Sequence, residues 1–443
     1  MRLAMLKNII NGVGVAAFVV VGLGVAVFLQ TNRDSAPRRT CSDGILSVAA
    51  VGDIMMGADV APAERIAGET RDLLTASNVT IGSLAMTLLV QPEHAEANSP
   101  VGGSQHAHLF RRWGFSAFAR SNTRSNDFGL PGLEQTSNIL QKNKLASAGV
   151  GVDLAAARAP GWVQTPCGAV AVISVATSAR DQDPNPALPS RAGIAGRPGI
   201  NPLRYSQRAQ VDPETFAKLR DSSAKIGGPP PEQDGTLHAF GMILELGASN
   251  ISTTDVNHED QAEVLAAIRE ARKTAALVIV SLYSNEDGDT ADEPAALVES
   301  FARAAIDAGA GLVIGHGAYG LRPVEIQGGS LVAYGLGAFI ADSRLGTEPS
   351  AESSNTPSPA AEDPVPQGAI LSASFRDGHV VSARLTALDL AAAPGLPRGF
   401  PRLSDTAEIF NQIASRSASR GANLNIQKGG ADLVLTAARE PSK

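Results

Sequence analysis

The sequence predicts an α/β fold built on a substantial sheet, and three observations carry that expectation. Short apolar runs rich in β-branched residues alternate along the chain with stretches of helical spacing. The first run, Leu46 to Val51, ends abruptly in Gly52-Asp53 and continues Ile54-Met55-Met56-Gly57. That pattern reads as a buried strand presenting a carboxylate at its carboxyl end, where ligands bind in open α/β sheets. Hydrophobic residues make up 44% of the chain but aromatics only 4%, so the core is built from Val, Leu, Ile and Ala.

Taken in order, residues 1–8 carry Arg2 and Lys7 and read as a cytoplasmic N-terminus. Within residues 9–30, Ile9 to Leu29 is almost wholly apolar, interrupted only by Asn11 and several glycines, and roughly 20 such residues cross a bilayer as a helix. The basic residues before this stretch favour a cytoplasmic start. Arg33, Arg38 and Arg39 follow it and blunt that argument. The segment therefore reads as a single transmembrane anchor, with a cleaved signal peptide as the alternative. Either way the main domain lies outside the cytoplasm, at the cell membrane. Residues 31–44 form a tether.

The main domain is expected over 45–400. Ala61 to Ala76 has helical spacing, Val79 to Leu84 is a short apolar run, and Leu130 to Ala146 is an amphipathic helix with Leu133, Ile139 and Leu140 on one face. Ala169 to Val175, Leu277 to Leu282, Gly311 to Ile314, Ser330 to Tyr334 and Ala369 to Phe375 read as strands, with Gly378 to Leu388 as a hairpin partner of the last. Helices are expected at Asp260 to Lys273, capped near Asp255, and at Glu293 to Ala308. Residues 180–231, rich in Pro and Gly, read as an insertion with little regular structure, and 343–367 as a flexible loop. The tail 401–443 shows one helix-like segment and then fades.

Several chemistries are excluded or weak. A net charge of -7 argues against nucleic acid as a partner. No Walker loop, strand-borne Gly-x-Gly-x-x-Gly or Ser/His/Asp signature occurs. The two cysteines, Cys41 and Cys167, each precede a strand. They are either one disulfide or two unrelated thiols, and too few for a thiolate zinc site. His94, His106 and His108 form a loose cluster whose His-Ala-His pair offers two metal donors, although surface loops often carry such pairs.

Five further segments stand in a fixed order. They are Gly-Asp-Ile-Met-Met-Gly at 52–57, Ser-Asn-Thr-Arg-Ser-Asn-Asp-Phe-Gly at 121–129, Val-Ser-Leu-Tyr-Ser-Asn-Glu at 280–286, Gly-His-Gly-Ala-Tyr-Gly-Leu-Arg-Pro-Val-Glu at 315–325, and Ala-Tyr-Gly-Leu-Gly-Ala-Phe at 333–339. In this order the chain resembles the CapA family of capsule and poly-γ-glutamate biosynthesis proteins over Ile45 to Asp342. The resemblance implies a calcineurin-like metallophosphatase fold, a β-sandwich flanked by helices. It also implies a site where two divalent metals bridge a water and clamp a phosphoryl group.

Measured against that family pattern, Asp53, Asn122 and His316 remain as catalytic or metal-ligand positions, with Glu286 peripheral. Ser83 and Ala85 replace an Asn and a Glu, Arg124 replaces a His, and Tyr283 and Tyr319 stand where histidines are usual. A guanidinium has no lone pair for a metal. The expectation is a pseudoenzyme that binds no cofactor and holds an anionic polymer through Arg124, Tyr283, Glu286 and Tyr319, or that serves as a scaffold for capsule-synthesis machinery. A sharper expectation pairs Arg124 with Asp53 in place of a metal. The alternative is a Mn-, Zn- or Fe-dependent phosphoester or peptide hydrolase using Asp53, Asn122, Glu286 and His316. A plain cell-envelope interaction protein is the third reading.

Overall fold

The computed structural model describes residues 41 and 43–434, apart from 93–94, 96–99, 179–185, 249, 319 and 346–365. The transmembrane and cytoplasmic expectations for residues 1–30, and most of the 343–367 loop, lie outside the described residues. Unit boundaries fall between Arg39 and Thr40, and the description below concerns the larger unit.

In chain order, the strands that build the two main sheets are β1 (Leu46–Met55), β2 (Val79–Leu84), β3 (Ala117–Ala119), β4 (Ala146–Ala148), β5 (Gly161–Thr165), β6 (Gly168–Ser178), β7 (Pro202–Val211), β8 (Leu237–Ala239), β9 (Met242–Leu246), β10 (Ile251–Val256), β11 (Leu277–Tyr283), β12 (Leu312–His316), β13 (Leu321–Gln327), β14 (Ser330–Leu336), β15 (Ala338–Ala341), β16 (Gly368–Arg376), β17 (His379–Asp389), β18 (Arg402–Leu403), β19 (Asn423–Gln427) and β20 (Gly430–Val434). The first sheet runs β19-β20-β17-β16-β1-β2-β3-β4, with β15 joined to β1 and β18 to β17. The second runs β8-β9-β7-β6-β11-β12-β14-β13, with β10 joined to β7 and β5 to β6. Strands β1 to β4 are mutually parallel, as are β6, β11, β12 and β14.

Period-two alternation explains the layering. Val48 and Ala50 of β1 share one apolar cluster with Val172, Ile279, Ile314 and Leu371, which is the core between the two sheets. Ala49 and Val51 face the other way, with Leu74, Phe110, Phe118 and Leu140. On the second sheet Ile173, Val278 and Val280 pack with Val264, Ile268 and Phe301 of the helices His258–Arg272 and Ala296–Asp307. The result is helix, sheet, sheet, helix. The scarce aromatics concentrate on one outer layer, where Phe110 meets Trp113 and Phe115 edge-on at 6.2 and 5.8 Å. Truncating such a fully buried ring costs about 3–5 kcal/mol.

Cys41 and Cys167 form a disulfide, which ties the start of the domain to the turn before β6. The hairpin expected at 369–388 is present as β16 and β17. The helix expected from Ala61 to Ala76 is two helices, Ala61–Glu64 and Gly68–Thr75, broken at Arg65–Ala67. The helix at 258 is capped by Asn257, whose side chain accepts from Asp260 N–H at 2.9 Å, rather than by Asp255.

Two expectations need correction. Residues 180–231 are not an irregular insertion, for β7 is ten residues long and a helix follows at Pro213–Lys225. The segment is rich in proline and glycine, but Leu203, Tyr205, Ala209 and Val211 still alternate, and Asp212-Pro213 starts the helix. The Asp212 carboxylate accepts from Thr215 and Glu214, which holds its pKa down at about 2. Nor does the tail fade after one helix. Leu424 and Ile426 alternate in β19, and β20 follows a Lys428-Gly429 turn to pair with β17 in the first sheet.

A buried ion cluster joins these parts. Asp260 is fully buried and binds Arg204 at 2.7 and 2.8 Å and Arg158 at 2.6 Å. It thereby fastens the helix His258–Arg272 to β7 and to the helix Leu154–Arg158. Removing one member of a buried ionic cluster leaves uncompensated charge and costs about 3–5 kcal/mol. Asp260→Ala is therefore expected to lose about that much stability in urea unfolding, whereas Lys218→Ala, on an exposed helical pair, is expected to change it by less than about 0.5 kcal/mol.

Candidate functional site

The carboxyl ends of the parallel strands in both sheets carry the candidate residues. In the first sheet Asp53 is in register with Ser83, and Ser83 with Ala119. In the second, Tyr283 is in register with His316. Asp53 owes its aim to a backbone crossing. The register of β1 slips between Ala50 and Asp53, and the Gly337 carbonyl accepts the Asp53 N–H at 3.1 Å. A Cβ on Gly52 would lie 1.9 Å from that carbonyl oxygen, so only glycine fits before the aspartate. Such a bulge re-aims the next side chain.

Asp53 and His316 meet across the two sheets. Asp53 Oδ2 accepts the Gly317 N–H at 3.1 Å, and Oδ1 lies 3.7 Å from His316 Nδ1. That separation is too long for a hydrogen bond. Asp53 Oδ1 and both His316 ring nitrogens are buried and have no hydrogen-bond partner among the described residues. Burial pushes the His316 pKa below its usual value, opposed by the charge of Asp53.

The remaining candidates are committed elsewhere. Asn122 is fully buried; its Nδ2 donates to the Leu84 carbonyl at 3.0 Å, and its Oδ1 accepts from Arg124 N–H and Ser125 Oγ, each at 3.1 Å. Arg124 does not pair with Asp53. It lies in the turn after Asn122, nearly half exposed, and its ion pair is with Asp127 at 3.5 Å. Burial raises the Asp127 pKa and Arg124 opposes the rise. The Tyr283 hydroxyl sits 3.1 Å from Thr123 Oγ1, linking the rims of the two sheets. Glu286 accepts from the Tyr205 hydroxyl, while its carbonyl takes Arg322 at 3.0 Å. Tyr319 lies outside the described residues.

Sequence reasoning missed the groups that brace this rim. The Gly57 N–H donates to Asp342 Oδ2 at 3.2 Å, and the Gly57 carbonyl accepts from His106 Nε2 at 2.9 Å. Asp342 is itself clamped by Arg344 at 2.8 and 2.6 Å. His106 is therefore not a metal donor in a surface loop: it is fully buried, and its Nδ1 accepts the Gly103 N–H at 3.1 Å. His94 lies outside the described residues. Ser121, Ser174 and Asn201 form a neutral seam between the sheets, with Ser174 Oγ accepting the Ser121 N–H at 3.0 Å and Asn201 Nδ2 reaching the Ser174 carbonyl at 3.0 Å. Arg120 is also fully buried, held by Ser137 Oγ at 2.7 Å, and burial lowers its pKa to about 9. No sequence signal marks these partners, since they lie up to 285 positions apart.

The donor set does not fit a two-metal centre. Such a centre needs several carboxylates, amides and imidazoles, including a bridging group. Among the described residues no group of three or more His, Cys, Asp or Glu could hold a metal ion. Asn122 has both halves of its amide engaged, which leaves Asp53 and His316.

Two sheets with parallel centres, opposed at their carboxyl ends around an Asp–His pair, define an α/β protein with a polar site at the sheet rims. The chain belongs to the family described as bacterial capsule synthesis protein PGA_cap, whose model matches residues 47–343. It is 31% identical over 314 residues to the uncharacterized protein y4sH of Sinorhizobium fredii, covering 68% of this chain and 67% of that one. It is 23% identical over 339 residues to the PGA biosynthesis protein CapA of Bacillus subtilis, covering 74% and 71%. A crystal structure of a hypothetical protein from Thermus thermophilus aligns at a TM-score of 0.38 and 10% identity, over 77% of this chain and 98% of that one.

His106 and His316 titrate below their usual value because both are buried neutral. The unfolded chain therefore binds more protons than the native one once pH falls below about 6.5. The stabilisation is complete above that pH and is lost as pH falls toward the depressed native values. Urea midpoints measured between pH 7.5 and 5 are expected to fall, and His316→Leu, which cannot take up a proton, is expected to flatten part of the fall.

Proposed function

We propose that this chain serves capsule or exopolymer assembly as a membrane-anchored binding or scaffold protein, on a metallophosphatase-like sandwich whose metal chemistry has been lost. Family membership supports the capsule-related part. The observation that carries the rest is the state of Asn122. Its amide is spent on Leu84, Arg124 and Ser125, so the rim retains one carboxylate and one imidazole. An arginine stands where the family pattern has a histidine.

In this reading the polymer is anionic, of the poly-γ-glutamate class. Arg124 supplies an exposed guanidinium that binds carboxylates by charge-assisted hydrogen bonds, with the Thr123 hydroxyl beside it and the Tyr283 hydroxyl on the facing rim. The N-terminal apolar segment holds the domain outside the cytoplasm. The Cys41–Cys167 disulfide supports that placement, because disulfides persist in oxidising compartments. The second reading is a hydrolase with a rearranged metal site. Only the unpartnered Asp53 Oδ1 and His316 nitrogens favour it.

Metal content after loading with manganese, zinc and iron, followed by dialysis, separates the two. Near-zero stoichiometry is expected, together with poly-γ-glutamate binding that Arg124→Glu weakens several-fold. One or two equivalents of metal, lost in Asp53→Ala and His316→Ala and accompanied by phosphoesterase activity, would overturn the proposal.

A further inference from the structure

Strands β7 to β10 and the helix Pro213–Lys225 form an arm on the second sheet, and β10 is its open edge. Among the described residues β10 pairs with β7 alone, antiparallel from Tyr205↔Val256 to Gln210↔Ile251, without a bulge. Ile251 to Asp255 are exposed and Val256 is half-buried. The helix packs on β8 and β9 and leaves β10 uncovered.

The hydrogen-bond parity of this edge follows from its last rung. The Asn257 N–H donates to the Arg204 carbonyl at 2.8 Å, which makes 204 and 257 a hydrogen-bonded pair. By alternation 206/255, 208/253 and 210/251 bond inward as well. Ser252, Thr254 and Val256 therefore turn their N–H and C=O groups away from β7. An edge strand templates pairing with another strand unless lysine, proline or a bulge blunts it. Ile251-Ser252-Thr253-Thr254-Asp255-Val256 has no lysine, proline or bulge, and its one charge, Asp255, approaches Arg208 at 3.6 Å.

The geometry points to a second copy of this chain as the occupant, joined β10 to β10 in antiparallel register about a two-fold axis at Thr254. Outward groups must oppose outward groups, so the axis falls on a residue and not between two. Centring on Thr254 exchanges hydrogen bonds between the two Thr254 residues and between Ser252 and Val256. Threonine opposite threonine is a favourable cross-strand pair. Asp255 then faces the second copy's Thr253 and not a like charge. Thr253 is in register with Arg208 on the same face, and Arg208, which pairs with Glu245, also approaches Asp255 at 3.6 Å within one copy. Each Asp255 thus gains a second guanidinium across the junction. An acidic strand from another protein would meet repulsion at that position. Centring on Thr253 instead sets Asp255 against Ile251 and forfeits this complementarity.

Sedimentation equilibrium of the full-length chain measures the association. Dimerisation is expected at micromolar concentrations. Thr254→Pro removes an N–H that bonds nothing in the single copy, and is expected to weaken the dimer at least ~10-fold with the melting curve unchanged. Both native cysteines are bound to each other, so Thr254→Cys introduces the one free thiol and is expected to give a reducible dimer. Ser252→Cys, opposite Val256, is expected to give none. A wild-type chain that stays monomeric up to about 100 µM, or a dimer that Thr254→Pro leaves intact, overturns the proposal. So does a cross-link that forms equally at position 252. Polymer binding plays no part in any of these readouts, so they stand apart from the capsule reading.

Discussion

Three backbones converge where the two sheets meet, and the rest of the molecule is arranged around that convergence. The chain leaves the second sheet at Leu336 and enters the first at Ala338, with Gly337 between them at φ +64. The Gly337 carbonyl lies against Gly52, and the Gln367 carbonyl lies 2.0 Å from where a Cβ on Gly337 would stand. On the far side Gly368 meets the Ala338 carbonyl equally closely. No side chain fits between these segments. Their contact fixes how the end of β1 turns and sets the position of Asp53 relative to β12. A methyl group at position 52 would force the sheets apart at the rim before it affected the apolar layers behind it.

Behind that crossing the junction between sheets changes character. In the middle it is aliphatic, with Val48, Val172, Ile279 and Ile314 filling the space. Toward the carboxyl edge it becomes neutral and polar, with Ser121, Ser174 and Asn201 exchanging hydrogen bonds with backbone groups. At the rim it becomes ionisable, with Asp53 and His316. Buried polar groups are normally satisfied, and leaving one unpaired costs about 1–3 kcal/mol. Seam and dyad therefore differ in kind. The seam contributes to stability through the bonds of its two serines and the Asn201 amide nitrogen, with Asn201 Oδ1 its one unpartnered atom, whereas all three unpartnered atoms of the dyad are held in place by their surroundings at a cost to the fold.

Much of the fold was legible because burial writes a pattern into strands. Runs such as Leu277 to Leu282 and Ala169 to Val175, covered on both faces, read as continuous apolar segments, and both became central parallel strands. The arm and the last two strands were harder. Their alternation runs through half-exposed residues, and the arm is flanked by segments rich in proline and glycine. At the site the motifs located the strand ends but not the pairing. Asp53 and His316 were recognisable as survivors. That Arg124 would turn to Asp127, three residues away, was not, because a local ion pair in a turn competes with a distant one and no residue pattern records which wins. His106, Asp342 and Arg120 were invisible for the same reason: their roles depend on partners brought close only by the tertiary fold.

The distribution of unsatisfied groups bears on what the rim is for. Elsewhere in the described residues unpartnered buried atoms occur singly, on Thr70, Thr87, Arg158, Asn201, Ser281 and Arg402, while the two nitrogens of His106 and the oxygens of Asp260 and Asp342 are bonded. At the Asp53–His316 contact three buried atoms lack partners within one small region. A fold that braces Gly57 from both sides to hold that region in place, yet leaves its polar atoms unmatched, resembles a binding surface more than a structural joint. A structural joint would lose little by replacing His316 with an apolar residue of similar size, since nothing in the described rim bonds to its nitrogens. A binding surface would lose its recognition of any ligand that supplies a donor to Asp53 and a partner to the imidazole. Stability and ligand recognition should therefore respond in opposite directions at this one position, and that divergence is the physical signature of a site kept for its contacts rather than for the fold.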